Sequence, residues 1–197
     1  MPNEVNRPLT AMSTDILFHT IFPHETSQTW VVFVHGAGGS SAIWFRQLKA
    51  YKKEYNVLLL DLRGHGKSNN LVQNFVDNNY SFNNVSKDII DVLDHNNITS
   101  AHFVGISLGT ILIRNIAEIA PQYVSSMVLG GAVTRFNTRS NTLVYLGNTF
   151  KHFLPYMWLY RLFAFIMMPK KRHKESRLLF VREAKRLCQK EFIKWFK

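Results

Sequence analysis

The chain of 197 residues is long enough for one domain with a substantial core, and its 46% apolar content excludes a disordered polypeptide. Its one cysteine, Cys188, excludes an internal disulfide and suits a reducing, cytoplasmic compartment. The net charge of +11 is lopsided: residues 1–134 hold 9 Lys and Arg against 10 Asp and Glu, whereas residues 135–197 hold 15 against 3. No nucleic-acid motif accompanies that excess, so no nucleic-acid partner is expected.

Met1 to Asp15 lacks the apolar core of a secretory signal. Ile16 to Phe22 and Trp30 to Val34 read as strands around a polar turn, Pro23 to Gln28. Ser41 to Lys52 reads as a helix with Ile43, Leu48 and Tyr51 inward, and Val57 to Asp61 as a buried strand. An Asn-rich polar loop, Asn69 to Tyr80, precedes a helix over Asn84 to His95, where Val85, Ile89 and Val92 recur at helical spacing. Ala101 to Val104 is the next strand, Ile111 to Ala120 a helix stopped by Pro121, and Val124 to Leu129 a further strand. Strands alternating with helices predict a mainly parallel α/β sheet covered on both faces.

Beyond Gly130-Gly131 the pattern turns helical, over about Thr142 to Leu154, Trp158 to Met167 and Ser176 to Phe196. In the last of these Val181, Ala184, Cys188, Phe192 and Trp195 mark one amphipathic face. Phe153 to Met168 is the longest apolar stretch. At 16 residues, interrupted by Pro155 and Arg161, it is too short for a stable membrane span. The run Lys170-Lys171-Arg172-His173-Lys174 reads as a solvated face. The stripe Arg182, Arg186, Lys190, Lys194 and Lys197 reads as either a solvated face or the surface for an acidic partner. The cluster Tyr156, Trp158, Tyr160, Phe163 and Phe165 reads as packing and pocket lining within this helical segment.

Three glycine-punctuated turns follow buried strands. Gly105-Ile106-Ser107-Leu108-Gly109 lies between an apolar strand and a helix, the context of a G-x-S-x-G nucleophile elbow. Tight geometry there calls for small residues at Gly105 and Gly109, and the following helix points its N-terminus at Ser107. His35-Gly36-Ala37-Gly38-Gly39 ends the strand at Trp30. Asp61-Leu62-Arg63-Gly64-His65-Gly66-Lys67-Ser68 ends the strand at Val57.

In this order the three motifs resemble those of the α/β-hydrolase fold family, over roughly residues 16–134. The resemblance implies an α/β-hydrolase core over residues 1–134 and a helical cap or lid over residues 135–197. It implies Ser107 as nucleophile, with the backbone N–H groups of Leu108 and Ala37 as the oxyanion hole. His35 and Gly36 are implied to shape the oxyanion loop rather than to act as a base. Asp61, Arg63 and His65 are implied to hold their loop by hydrogen bonds and ion pairs. The expected reaction is hydrolysis of a carboxylic ester or related small-molecule acyl substrate. No cofactor is needed, and the sequence shows no metal-ligand cluster. Oligomeric state and acyl preference are not encoded legibly.

A serine nucleophile also needs a general base and an orienting acid, which the family supplies after the cap as an Asp or Glu and a His. Here only His152 and His173 follow Ser107, and both lie in the basic segment. The chain ends inside a helical pattern, so the resemblance implies that the last strands of the sheet, the acid and the His are absent. Against the size of such domains the shortfall is roughly 60 to 80 residues. The expected consequence is weak or no turnover. The alternative is a non-catalytic product or an α/β-hydrolase-like ligand-binding protein.

Overall fold

The computed structural model describes residues 9–11, 16–69, 80–132 and 155–185, together with residues 142, 145, 148, 149 and 195. The chain divides into two compact units, Met1–Ala132 and Val133–Lys197.

The first unit is a six-stranded sheet in the order β1-β2-β4-β3-β5-β6. Its strands are β1 (Leu9–Ala11), β2 (His19–Phe22), β3 (Trp30–Val34), β4 (Asn56–Leu60), β5 (Ala101–Ile106) and β6 (Val124–Gly130). β4, β3, β5 and β6 pair in parallel, whereas β2 joins β4 antiparallel and β1 joins β2 antiparallel. The middle strands are covered on both faces, which is why they read as unbroken apolar runs rather than alternating ones: Val31 to Val34 and Val57 to Leu60 are all buried.

One face carries Phe33, Val31, Val57 and Leu59 against Trp44 and Leu48, with the Phe33 ring 5.1 Å from those of Trp44 and Tyr51. Trp44 ends a 3-10 turn, Ser41–Trp44, and Leu48 lies in α1 (Phe45–Tyr51). The sequence suggests one helix over these residues. Its first turn is tighter because the Ser40 hydroxyl accepts from the Ala42 N–H and ends the preceding loop there. The opposite face is covered by α3 (Leu108–Ile119): Val34 pairs in register with Gly105, and a Cβ at Gly105 would lie 2.4 Å from the Ile113 side chain. Beside α3 packs α2 (Phe82–His95), whose Val85, Ile89, Val92 and Leu93 form the inward stripe. The Ser86 hydroxyl joins the two helices by donating to the Leu112 carbonyl.

Two expected boundaries shift. α3 begins at Leu108, three residues before the apolar pattern shows it, because Thr110 bonds the Ser107 carbonyl through both its N–H and its hydroxyl. β2 begins at His19, while Leu17 and Phe18 are buried ahead of it. β1, which the sequence pattern does not reveal, pairs Leu9 with Ile21. β6 lies at the end of the sheet and is exposed along most of its length, Val128 to 57%.

The second unit is helical among its described residues. Residues 142, 145, 148 and 149 are helical, and the rest of the helix expected over residues 142–154 lies outside the described residues, His152 included. α4 (Tyr156–Met167) and α5 (Lys174–Ala184) pack through Leu159, Tyr160 and Ala184, joined by Tyr156, Met157, Phe163 and Phe180. Helical periodicity therefore splits the expected aromatic cluster: Tyr156, Tyr160 and Phe163 face α5, whereas Trp158 and Phe165 are exposed. The stretch of the last predicted helix beyond residue 185 lies outside the described residues except for residue 195, so Cys188 and the basic positions there do not enter this description.

Candidate functional site

Three loops at the carboxyl ends of β3, β4 and β5 carry the candidate residues. Ser107 stands between β5 and α3 with φ 52° and ψ −118°. A side-chain-bearing residue rarely adopts that backbone, and it costs on the order of 1–3 kcal/mol unless the surroundings impose it. They do so here. The Ser107 N–H donates to the Gly130 carbonyl at 3.0 Å, pinning the turn to the end of β6, and the Thr110 N–H and hydroxyl bond the Ser107 carbonyl. The Ser107 side chain makes no capping bond to α3, and the residue is solvent-exposed.

The two flanking glycines are required by close approach. A Cβ at Gly109 would lie 2.3 Å from the Val34 carbonyl oxygen, and one at Gly105 would lie 3.0 Å from the Gly109 backbone. α3 thus starts directly against the end of β3. Leu108 is its first residue, and its N–H belongs to the first turn, which a helix leaves without intrahelical acceptors. That end of the helix favours negative charge.

The loop after β3 comes from the other side. A Cβ at Gly36 would stand 3.1 Å from the Ser107 Cβ and 3.7 Å from its Oγ, so the Gly36 backbone lies against the serine. The turn is closed by the Gly39 N–H donating to the Gly36 carbonyl at 3.0 Å, and Ala37 at its tip is exposed. His35 is fully buried beneath it. Its Nδ1–H donates to the Gly36 carbonyl at 2.8 Å, and its Nε2 accepts from the Leu62 N–H at 2.9 Å. Burial holds this imidazole well below the ordinary histidine range, at about 4, against the opposing pull of the Gly36 bond.

The loop after β4 is held more extensively than its sequence suggests. Asp61 Oδ1 accepts from the Ser41 N–H at 2.6 Å and Oδ2 from the Lys67 N–H at 2.8 Å. Arg63 reaches Asp88 on α2 in a two-pronged pair at 2.7 and 2.8 Å, both side chains buried. Burial pushes the Asp88 carboxyl above its usual range, and the Arg63 bonds pull against that shift. The His65 Nδ1–H donates to the Arg63 carbonyl at 3.0 Å, and its Nε2 accepts from the Gly38 N–H at 2.9 Å. Ser68, the last residue of the motif and given no role of its own in the sequence reading, bridges the Phe18 N–H and the Asp61 carbonyl. The sequence does not single out Asp88, because Asp91 and Asp94 also border residues of the apolar stripe; of the three it is Asp88 that the fold buries.

Neither loop histidine can take a proton from a serine without giving up a bond, because each uses its one lone pair on a backbone N–H. His173 lies in a 3-10 turn of the second unit, Lys171–His173. No group of three or more metal-ligating side chains is assembled among the described residues, and no helix there is long and apolar enough to cross a membrane.

Residues 29–160 match the sequence family described as the alpha/beta hydrolase fold. The chain is 39% identical over 79 residues to 3-oxoadipate enol-lactonase 1 of Acinetobacter baylyi, a match covering 40% of this chain and 27% of that protein. It is 37% identical over 101 residues to the dihydrolipoyllysine-residue acetyltransferase component of the acetoin cleaving system of Pseudomonas putida, covering 51% of this chain and 26% of the relative. The chain thus spans about a quarter of the length of these two curated relatives. The crystal structure of the enol-lactonase from Burkholderia xenovorans superposes with a TM-score of 0.70 at 17% identity, over 91% of this chain and 67% of that one, a likeness of fold. With the parallel sheet, the strand–Ser107–helix turn and a family match over residues 29–160, the chain belongs to the alpha/beta hydrolase fold family.

Proposed function

We propose that this chain carries the nucleophile and oxyanion side of a serine hydrolase site for a carboxylic ester or related acyl substrate, lactones included. The observation that carries the reading is the backbone of Ser107, held at φ 52° between β5 and α3 with its side chain left out of helix capping. A strained, exposed serine against a glycine loop is costly to maintain and serves no packing purpose. The Ser107 Oγ would attack the acyl carbonyl carbon, with the Leu108 and Ala37 N–H groups receiving the developing oxyanion. The alcohol leaves, and water later cleaves the acyl-serine. Family relatives that act on an enol-lactone are in keeping with this substrate class. The second, helical unit is assigned the cap role within the same proposal.

The hydroxyl proton must go to a base, and the two loop imidazoles are committed to backbone N–H groups. Turnover with only these two imidazoles at hand is therefore expected to be weak, since loss of the base costs on the order of 10⁴- to 10⁶-fold in kcat. The same commitment favours the second reading, a ligand-binding protein without turnover. A fluorophosphonate separates the two: Oγ bonds to phosphorus, and fluoride and the hydroxyl proton leave. Slow labelling that maps to Ser107 and vanishes in Ser107→Ala supports the nucleophile. A Ser107 no more reactive than other serines of the chain sinks it.

A further inference from the structure

The loops after β3 and β4 are braced to each other in both directions. His35, from the first, accepts from the Leu62 N–H of the second, and His65, from the second, accepts from the Gly38 N–H of the first, both at 2.9 Å. The rings lie side by side with centroids 5.1 Å apart. A carbonyl oxygen can only accept and a backbone N–H can only donate, so both tautomers are settled: Nδ1 carries the proton and Nε2 the lone pair. Both rings are fully buried.

These bonds fall on two consecutive peptide planes. The Gly36 carbonyl, which shares a plane with the Ala37 N–H, receives the His35 Nδ1–H and the Gly39 N–H. A trans peptide points its N–H opposite its carbonyl, so these two bonds aim the Ala37 N–H away from His35. The next plane, between Ala37 and Gly38, is held by His65 through the Gly38 N–H. Fixing both planes fixes both backbone dihedrals of Ala37.

We propose that His65 is a positioning residue of the oxyanion site: acting through the Gly38 N–H, it holds the peptide after Ala37 as His35 holds the one before it. The inference rests on the Ser107 reading. It assigns the loop after β4 a part in aiming the donor, beyond holding its own turn. Asp61 supports it from the same loop, by holding the Ser41 N–H where the β3 loop ends.

The test compares the wild type with His65→Leu, which keeps bulk without an acceptor, and His65→Gln, whose amide oxygen can accept from Gly38. The readout is fluorophosphonate labelling of Ser107, resolved into reversible binding and the bond-forming step. Loss of one oxyanion donor typically slows a reaction 10²- to 10³-fold. A misaimed donor should slow the bond-forming step about 10- to 100-fold in His65→Leu, leave reversible binding unchanged and be largely restored in His65→Gln. Labelling of His65→Leu at the wild-type rate overturns this proposal alone. So does a slow His65→Leu that His65→Gln does not improve. A wild type that does not label at Ser107 overturns the nucleophile reading, and this proposal with it. Should His65→Leu fail to fold, the wild type decides: a through-hydrogen-bond nitrogen–nitrogen coupling between Gly38 and His65 Nε2 is expected, and its absence overturns the clasp.

Discussion

Acid should destabilise the first unit through His35 in particular. In the folded chain its imidazole titrates at about 4 because burial penalises the charged ring, against an ordinary value of 6.5. Between those values the unfolded chain binds the proton and the folded one does not. The stability that His35 contributes is therefore fully present above about pH 6.5 and is lost progressively as pH falls towards 4. Over the step from pH 7 to pH 4.5 the linkage amounts to about 2.4 kcal/mol. His19 shifts in the same direction, chiefly by burial, so the pH dependence of the wild type alone does not isolate His35. The difference between wild type and His35→Gln does. Urea unfolding at both pH values should show a wild-type stability that falls by about 2.4 kcal/mol more than that of His35→Gln, read as a shift in midpoint at unchanged slope. His35→Gln should be the less stable protein at pH 7, where its lost bonds dominate. Equal pH losses in the two proteins would refute the reasoning. They would mean that His35 titrates in the fold as it does in the unfolded chain.

Two more outcomes follow from the site. Glycine adopts the Ser107 backbone without strain but loses more freedom on folding, so Ser107→Gly should exceed Ser107→Ala in stability by about 1 kcal/mol. A Ser107→Ala protein as stable as Ser107→Gly in urea unfolding would show that the turn is not strained. Removing one side of the buried pair, as in Arg63→Ala, strands the Asp88 carboxylate and should cost about 3–5 kcal/mol. The double change Arg63→Met with Asp88→Leu should recover most of it, measured by thermal unfolding.

The linear order of residues was enough to reveal the sheet and its elbow. Val31 to Val34 and Val57 to Leu60 are buried on both faces, and such strands advertise themselves as unbroken apolar runs. Gly105 and Gly109 were legible because a close backbone approach admits no side chain, a constraint local enough to leave a five-residue mark. What stayed hidden depends on partners distant in sequence. β1 is three residues long, and its place is set by pairing with β2 rather than by any pattern of its own. The pairing of Arg63 with Asp88 spans 25 positions. The reciprocal bonds of His35 and His65 each span 27 and end on backbone N–H groups, which leave no trace in residue identity. From the sequence, His35 and His65 are two histidines beside glycines. Only the convergence of the β3 and β4 loops makes them acceptors for each other's backbone and leaves each Nε2 without a lone pair to spare.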